Sequence, residues 1–321
     1  MYKLLLLLIP LFLIAGLIFS VINPLLLGVV STDEKIPAKA DRMESDVRFL
    51  TELQPARNYL NLVSLNKAAD YVFDEFSKLN CKVERQKFDA KGSEYQNVIA
   101  HFGPEDAPRI VIGGHYDVCG DQPGADDNAS AVAGLLELAR LFDELKPELK
   151  YHYEFVAYTL EEPPFFRTDK MGSAVHAQSL KDANVEVELM LSLEMIGYFS
   201  EEEGSQDYPI GLLKWFYPTK GNFIAVIGKF GQWGVVRKMK KMMKAACGIP
   251  VKSINAPVSL QGIDFSDHQN YWKQGYSAFM ICDTAFMRNK NYHEKSDTID
   301  TLNFKKMSEV VKGVYWAVVK W

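Results

Sequence analysis

The chain has 321 residues, of which 48% are hydrophobic and 24% charged, a composition typical of globular proteins. A formal net charge of -5, with no basic tail or cluster, argues against nucleic acid as a partner. The four cysteines have no C-x-x-C spacing, so the sequence predicts neither a zinc knot nor a disulfide framework.

The N-terminal segment predicts attachment to a membrane. Residues 4–30 contain no charged side chain, and about twenty apolar residues suffice to span a bilayer. A signal peptide has a shorter apolar core, roughly 7 to 15 residues, and the A-x-A pattern at 38–40 lies late for cleavage. We therefore expect a short head at 1–3, an uncleaved transmembrane signal anchor at 4–30 and a linker at 31–42. Such anchors usually precede an exported domain, so we expect an extracytoplasmic, periplasmic location, although the flanking positive charges do not favour it.

After the linker, helical patterns and apolar strands alternate along the chain. In chain order they are helices over 41–53 and 66–80, strands over 95–102 and 109–117, a helix over 129–145, a strand over 151–162, a helix over 172–183, strands over 187–198 and 221–230, a helix over 233–247, a strand over 277–286 and a helix from about 303 to the end. Apolar strands interleaved with helices indicate a mostly parallel, mixed sheet covered by helices on both faces. We predict a single α/β domain over residues 43–321.

Acidic and imidazole side chains cluster where four of these strands end. They are His115 and Asp117, Glu161 and Glu162, Glu194, and His293. Ligands of such sheets bind beyond the carboxyl ends of the strands, so we expect these groups to converge. Burying charged groups costs several kcal/mol each unless something neutralises them. The pattern therefore predicts a metal site.

Two of the motifs have competing local explanations. His115 and Asp117 lie two residues apart, on one side of a strand, so Asp117 could accept a hydrogen bond from the ring nitrogen that faces away from a metal. The alternative is a histidine in a surface loop. Asp127 precedes a helix and could be its N-cap, but a cap explains one acidic residue and not the pair in G-A-D-D-N.

The remaining motifs also leave choices open. Pro163 and Pro164 end the strand that carries Glu161 and Glu162, so these adjacent carboxylates could serve one site in different roles. Glu194 is a charge inside an apolar strand, and a buried ion pair would also explain it. Two histidines follow later in the chain, His268 and His293, and chemistry alone does not decide which of them is a ligand. The other histidines have no acidic companion at ligand spacing and are taken as structural: His101, His152 and His176.

Taken in order, H-x-D, G-A-D-D-N-A-S, E-E-P, E-M-I-G-Y, S-D-H and Y-H-x-x-x-D-T resemble the motifs of the co-catalytic zinc aminopeptidases of the M28 peptidase family. The resemblance covers roughly residues 45–321 and implies a membrane-anchored, bacterial-type enzyme with two zinc ions per chain and peptide substrates. It implies these roles: ligands of one zinc ion, His115 and Glu194; ligands of the other, Glu162 and His293; a bridging ligand, Asp127; a general base, Glu161; a partner of His115, Asp117; structural residues near the site, Asp267 and His268. It also implies a cis peptide bond after Asp127.

The chain departs from the family pattern in three places. Glu194 stands where many members have Asp, and the stretch before S-D-H lacks the tyrosine that often helps to hold an oxyanion. Tyr292 or Tyr198 could replace it. The stretch P-P-F-F-R-T-D-K-M looks longer than usual, and we expect it to form part of the substrate pocket. Its predicted pocket residues are Phe165 and Phe166 as apolar wall and Arg167 as a carboxylate partner, with Tyr292 nearby.

Two other functions compete with the aminopeptidase. A glutaminyl cyclase shares the fold but is an acyltransferase with one zinc ion, whereas the ligand set here indicates two. A catalytically inactive, receptor-like ectodomain would have lost ligands, and this chain keeps them all. The sequence does not indicate the oligomeric state, the preferred N-terminal residue or the physiological metal.

Overall fold

The computed structural model describes residues 2–25 and 31–321, with side chains from residue 9 onward except residues 11 and 14. Its first helix, α1, spans Tyr2–Ile22. Within the described part of the chain, no helix combines the length and the apolar character needed to cross a membrane. The anchor expected over 4–30 stays a prediction, and its residues 26–30, like Met1 of the short head, lie outside the described residues.

The rest of the chain folds into an α/β domain of alternating helices and strands. The further helices are α2 (Ala40–Thr51), α3 (Leu62–Ser77), α4 (Ala131–Leu145), α5 (Gly172–Asp182), α6 (Trp233–Ala246), α7 (His268–Lys273) and α8 (Phe304–Val319). The strands are β1 (Lys82–Ala90), β2 (Ser93–Phe102), β3 (Arg109–His115), β4 (His152–Tyr158), β5 (Val187–Glu194), β6 (Ile224–Lys229), β7 (Val251–Ala256) and β8 (Ala278–Cys282).

The strands form one eight-stranded sheet in the order β1-β2-β4-β3-β5-β8-β6-β7. Its centre is parallel, because β3 pairs in parallel with β4 and β5, and β5 with β8. The pairs β1–β2, β2–β4 and β6–β8 are antiparallel. The predicted single α/β domain with a mostly parallel, mixed sheet is confirmed. The strands β3, β4, β5 and β8 therefore have their carboxyl ends side by side, on the same side of the sheet.

Successive side chains of the central strands enter two separate apolar clusters. In β3, Ile110 and Ile112 belong to the larger cluster, and Val111 between them belongs to the smaller one. The larger cluster contains side chains of α2, α3, α4, α6 and α8, and the smaller contains Ala177 of α5 and Trp272 of α7. This two-residue alternation places helices on both faces of the sheet.

The carboxyl end of α1 rests against β7, at one edge of the sheet. The side-chain amide of Asn23 donates to the side-chain oxygen of Asn255 over 2.6 Å. The ammonium of Lys240 donates to the backbone oxygens of Ile22, at 3.0 Å, and Asn23, at 3.1 Å. These bonds attach the N-terminal helix to the domain.

The structure corrects the predicted elements in several places. Strands β1 and β7 and the short helix α7 were not predicted. Strand β4 ends at Tyr158, so Glu161 and Glu162 lie in the loop after it and not in the strand. His293 lies eleven positions beyond Cys282, the last residue of β8, and a long loop brings it to the site.

Candidate active site

The first group of the site stands at the end of β3. His115 is that strand's last residue, and its Nδ1 lies 3.1 Å from the backbone oxygen of Asp117 and 3.5 Å from the nearer carboxylate oxygen. The expected contact through the Asp117 carboxylate is therefore the longer of the two. That carboxylate instead accepts hydrogen bonds from the backbone N–H groups of Glu161, at 3.2 Å, and Glu162, at 3.1 Å. Asp117 thus fixes the loop that carries both glutamates.

An irregular turn over residues 125–130 presents Asp127 to the site. Asp297 organises this turn, because its carboxylate accepts the backbone N–H groups of Asp126 and Asp127, each at 3.0 Å. The peptide bond between Asp127 and Asn128 is cis, as the resemblance implied. The Asn128 side chain is buried and donates to the backbone oxygen of Leu193 over 3.1 Å, which ties the turn to β5.

The two carboxylate oxygens of Asp127 face two different groups of donors. Its Oδ1 lies 3.4 Å from His115 Nε2, which is also 3.5 Å from Oε1 of Glu194. Its Oδ2 lies 3.1 Å from His293 Nε2, which is also 3.3 Å from Oε2 of Glu162. The structure brings together all five residues predicted as ligands, with Asp127 between two clusters.

These separations match donors arranged around metal ions. Nitrogen and oxygen ligands at roughly 2.0–2.1 Å from a tetrahedral zinc ion lie about 3.3 Å from one another. Charge-assisted hydrogen bonds are shorter, about 2.7–2.9 Å. The four distances here, 3.1 to 3.5 Å, fit the first geometry better than the second. In addition, Asp127 Oδ2 and Glu162 Oε1 are buried without a hydrogen-bond partner among the described residues, as expected of metal ligands.

Comparisons with known proteins identify the family. A family model described as Peptidase family M28 matches residues 97–318. The chain belongs to peptidase family M28. The protein described as uncharacterized protein YfbL from Escherichia coli (strain K12) is 47% identical over 285 residues, covering 86% of this chain and 87% of that protein. Leucine aminopeptidase 1 of Pyrenophora tritici-repentis is 29% identical over 66% of this chain, which spans about half (51%) of that relative's length.

Solved structures support the same fold. LapB from Legionella pneumophila has a TM-score of 0.70 at 21% identity, covering 88% of this chain and 72% of that one. The glutaminyl cyclase of Fimbriiglobus ruber has a TM-score of 0.67 at 18% identity, covering 91% and 98%. Likeness at these identities establishes the fold alone. With the family match, the predicted enzyme class, a metallo-aminopeptidase, is confirmed.

Burial sets the electrostatics of this M28 site. Burial raises the pKa of Glu162 to about 7, and repulsion from Asp127 adds to that shift. Burial also raises the pKa of Glu161 well above its usual value, with repulsion from Glu162 and Glu194 adding to it. Bound cations would relieve this repulsion. The buried guanidinium of Arg57, which bonds backbone oxygens beside the site, supplies some positive charge.

The predicted substrate-pocket residues separate into two sets. The cleft over the ligands is lined by Asp127, Glu161, Glu162, Pro163, Phe166, Glu194, Phe265, Tyr292 and His293. Phe166 and Tyr292 therefore lie beside the predicted ligands, and their contact with substrate stays a prediction. Phe165 does not line the cleft, because it is buried in the core beside Tyr59 and Tyr95, with ring centroids 5.5 and 6.0 Å away. Arg167 is absent from the cleft lining and binds both oxygens of the Asp264 carboxylate at 2.7 Å.

The structure also places the residues of S-D-H and the candidate oxyanion tyrosines. His268 is buried, and its Nε2 contacts the backbone oxygen of Ile263 at 2.8 Å, outside both donor clusters. Burial raises the pKa of the neighbouring Asp267 to about 7. Tyr292 lines the cleft and stacks on His293 at 3.8 Å between ring centroids. Tyr198 is absent from the cleft lining, and its backbone N–H donates to Asp283.

Three histidines that the sequence left without acidic companions gather around Glu154. His101 pairs across the strands with Glu154 and lies 3.0 Å from His152 between ring nitrogens. His176 Nε2 lies 3.5 Å from Oε2 of Glu154. Arg109 Nε lies 2.9 Å from Oε1 of Glu154, so its positive charge faces this carboxyl group. Because Arg109 begins β3 and His115 ends it, this group lies at the opposite end of the strand from the M28 site.

Proposed function

We propose that this protein is a two-zinc aminopeptidase that removes residues from the N-terminus of peptides. The observation that carries the proposal is the position of Asp127, whose two oxygens face separate donor clusters. His115 and Glu194 would hold one zinc ion, and Glu162 and His293 the other. Asp127 would be the ligand that both ions share.

The reaction needs a base and an orienting frame. When bound, zinc would lower the pKa of a water molecule and polarise the substrate carbonyl. Glu161 lines the cleft, 3.9 Å from His115 Nε2, and would accept the proton of the attacking water and pass it to the leaving amine. Asp117 holds the Glu161 backbone in place. The Tyr292 hydroxyl is the candidate donor to the oxyanion.

An apolar chamber next to the cleft supports a substrate class. Its lining shares Glu194, Phe265 and Tyr292 with the cleft and adds apolar and aromatic side chains: Leu213, Phe223, Ile227, Leu260, Ile263, Met280 and Phe286. A chamber of this kind favours a large apolar side chain at the substrate's N-terminal residue. The substrate's free amine would lie near the cleft carboxylates, which would restrict cleavage to the chain end.

The competing single-zinc glutaminyl cyclase is favoured by a specific observation, the likeness of fold. The second set of donors opposes it, because an enzyme with one zinc ion at Glu162 and His293 would not require His115 and Glu194 to converge on Asp127 as well. An inactive, receptor-like protein would not require Glu161 in the cleft.

One experiment separates these functions. The purified full chain is saturated with zinc, its metal content is measured, and it is assayed against aminoacyl-arylamides and N-terminal glutaminyl peptides. We expect two zinc ions per chain and release of arylamine, fastest from large apolar residues. One zinc ion with cyclisation of the glutaminyl peptide would establish the cyclase, and absence of both reactions would favour the receptor-like protein.

We also propose that the N-terminal segment holds the protein at a membrane, with the catalytic domain on the extracytoplasmic side. Exposed apolar side chains near the carboxyl end of α1 support this: Ile210, Leu212, Phe216 and Phe230. Aromatic side chains are enriched where proteins meet the lipid interface. Sedimentation with membranes after alkaline washing, and digestion by protease added to spheroplasts, test the attachment and the side. A domain that stays protected would overturn the assigned side.

A further inference from the structure

Cys119 lies beside the donor cluster of Glu162 and His293, although no motif marks it as a ligand. It is half-buried in the loop that follows β3, four residues after His115. Its sulfur, a carboxylate oxygen of Glu162 and a ring nitrogen of His293 all lie within 4.8 Å of one another. The Asn58 side chain donates to the backbone oxygen of Gly120 over 2.6 Å and so fixes the loop.

Two buried oxygens point to a cation in the same place. Asp127 Oδ2 and Glu162 Oε1 have no hydrogen-bond partner among the described residues, and both side chains are more than nine-tenths buried. A cation held there by Glu162 and His293 would have the Cys119 sulfur within reach. Sulfur ligands lie about 2.3 Å from zinc, only slightly farther than nitrogen ligands.

We propose that Cys119 binds the second metal ion as a thiolate, together with Glu162, His293 and Asp127. The proposal rests on the proposed two-metal function. The thiol would release its proton to solvent as the metal binds. The two metal positions would then differ in chemistry, because one has only nitrogen and oxygen ligands while the other includes sulfur. A sulfur ligand favours zinc or cobalt over magnesium or manganese at that position.

Cobalt spectroscopy tests the ligand directly. The full chain is stripped of metal and titrated with Co²⁺ alone while its near-ultraviolet absorption, bound cobalt and arylamidase activity are recorded. We expect a sulfur-to-cobalt charge-transfer band that grows with only one of the two equivalents of cobalt. Cys119→Ser should lose the band and bind that equivalent at least about tenfold more weakly. Cys81→Ser, which alters another half-buried thiol away from the site, should keep both.

The outcomes separate this proposal from the function on which it rests. Two bound cobalt ions with activity but no charge-transfer band would overturn the role of Cys119 and leave the aminopeptidase intact. A single bound ion, or none, would overturn both.

A second measurement on the unmodified protein covers a variant that fails to fold. Iodoacetamide labelling with and without zinc, followed by mass spectrometry, should show zinc protecting Cys119 at least tenfold while Cys81 is unaffected. Equal labelling of Cys119 in both states would overturn the proposal.

Discussion

Adjacent residues acquire different chemistry in this site because their side chains face different neighbours. Glu162 points its Oε2 to within 3.3 Å of His293, inside one donor cluster. The nearest approach of Glu161 to a histidine is 3.9 Å, to His115. The Asp117 carboxylate accepts the backbone N–H groups of both residues and so fixes their positions.

Glu161→Gln should abolish most catalysis while leaving metal in place. The amide keeps the size of the side chain but cannot accept a proton, so kcat should fall about 10² to 10⁴-fold with little change in KM. Steady-state kinetics and zinc analysis measure both effects. The matched variant Glu162→Gln should lose zinc as well as activity. Loss of zinc from Glu161→Gln, or turnover near the wild-type rate, would contradict this assignment.

His293→Ala and His268→Ala should differ in metal binding. His293 lies among carboxylates, and its loss should weaken one zinc ion roughly 10-fold or more. His268 contacts the backbone oxygen of Ile263 outside the donor clusters, so its variant should keep two zinc ions. Metal titration of both variants checks this. The opposite pattern would reverse the choice of histidine.

Several site residues could be found from the sequence, and others could not. His115 and Asp127 lie in motifs with spacing that points to a metal. Cys119 has no motif. Asp297 stands in the last motif, but its bonds to backbone N–H groups 170 and 171 residues away are visible only after folding. Phe165 sits beside Phe166 in sequence, yet its side chain turns into the core, which composition alone does not reveal.

At the scale of the elements, apolar runs predicted strands well and charged strands poorly. β1 alternates exposed and partly buried positions and contains Lys82, Glu84, Arg85 and Lys87, so no apolar run marks it. The predicted strands also extend too far at their carboxyl ends. Hydrophobic residues continue beyond Tyr158 into the loop that carries Glu161, because the active-site loop is itself buried.

The histidines around Glu154, near the amino end of β3, should make the free energy of unfolding depend on pH. Burial lowers the pKa of His176 to about 3, with repulsion from His101 and Arg109 adding to the shift. In the unfolded chain His176 therefore binds a proton below about pH 6.5, whereas in the folded chain it does so only below about pH 3. This contribution to stability is full above pH 6.5 and is lost as the pH falls, by about 1.4 kcal/mol per pH unit.

His176→Gln tests that dependence. Urea unfolding between pH 4.5 and 6.5 should show a smaller fall in the free energy of unfolding for the variant than for the wild type. Burial raises the pKa of Glu154 to about 7, which acts in the opposite direction. Because His176 contacts Glu154, the same measurement on Glu154→Gln and on the double variant separates the two contributions. Equal slopes would show that His176 is not protonated differently on folding.

For the whole molecule, bound metal should contribute to stability. The acidic cluster repels itself, and a ligand that binds only the folded chain stabilises it by about 2.7 kcal/mol at one hundred times its Kd. Calorimetry should therefore give a higher Tm with zinc than with chelator. His293→Ala should show a smaller difference. A Tm unaffected by chelator in the zinc-loaded wild type would contradict metal binding to the folded state.

The two outer strands of the sheet meet their surroundings differently. β1 carries charged side chains along its free edge, which discourage another strand from pairing with it. β7 instead receives the end of α1 through Asn23 and Asn255. A chain shortened to begin after residue 25 would uncover this edge together with the apolar side chains around it. Such a fragment should be prone to self-association. We therefore expect the N-terminal helix to protect the edge of β7 from pairing with another chain.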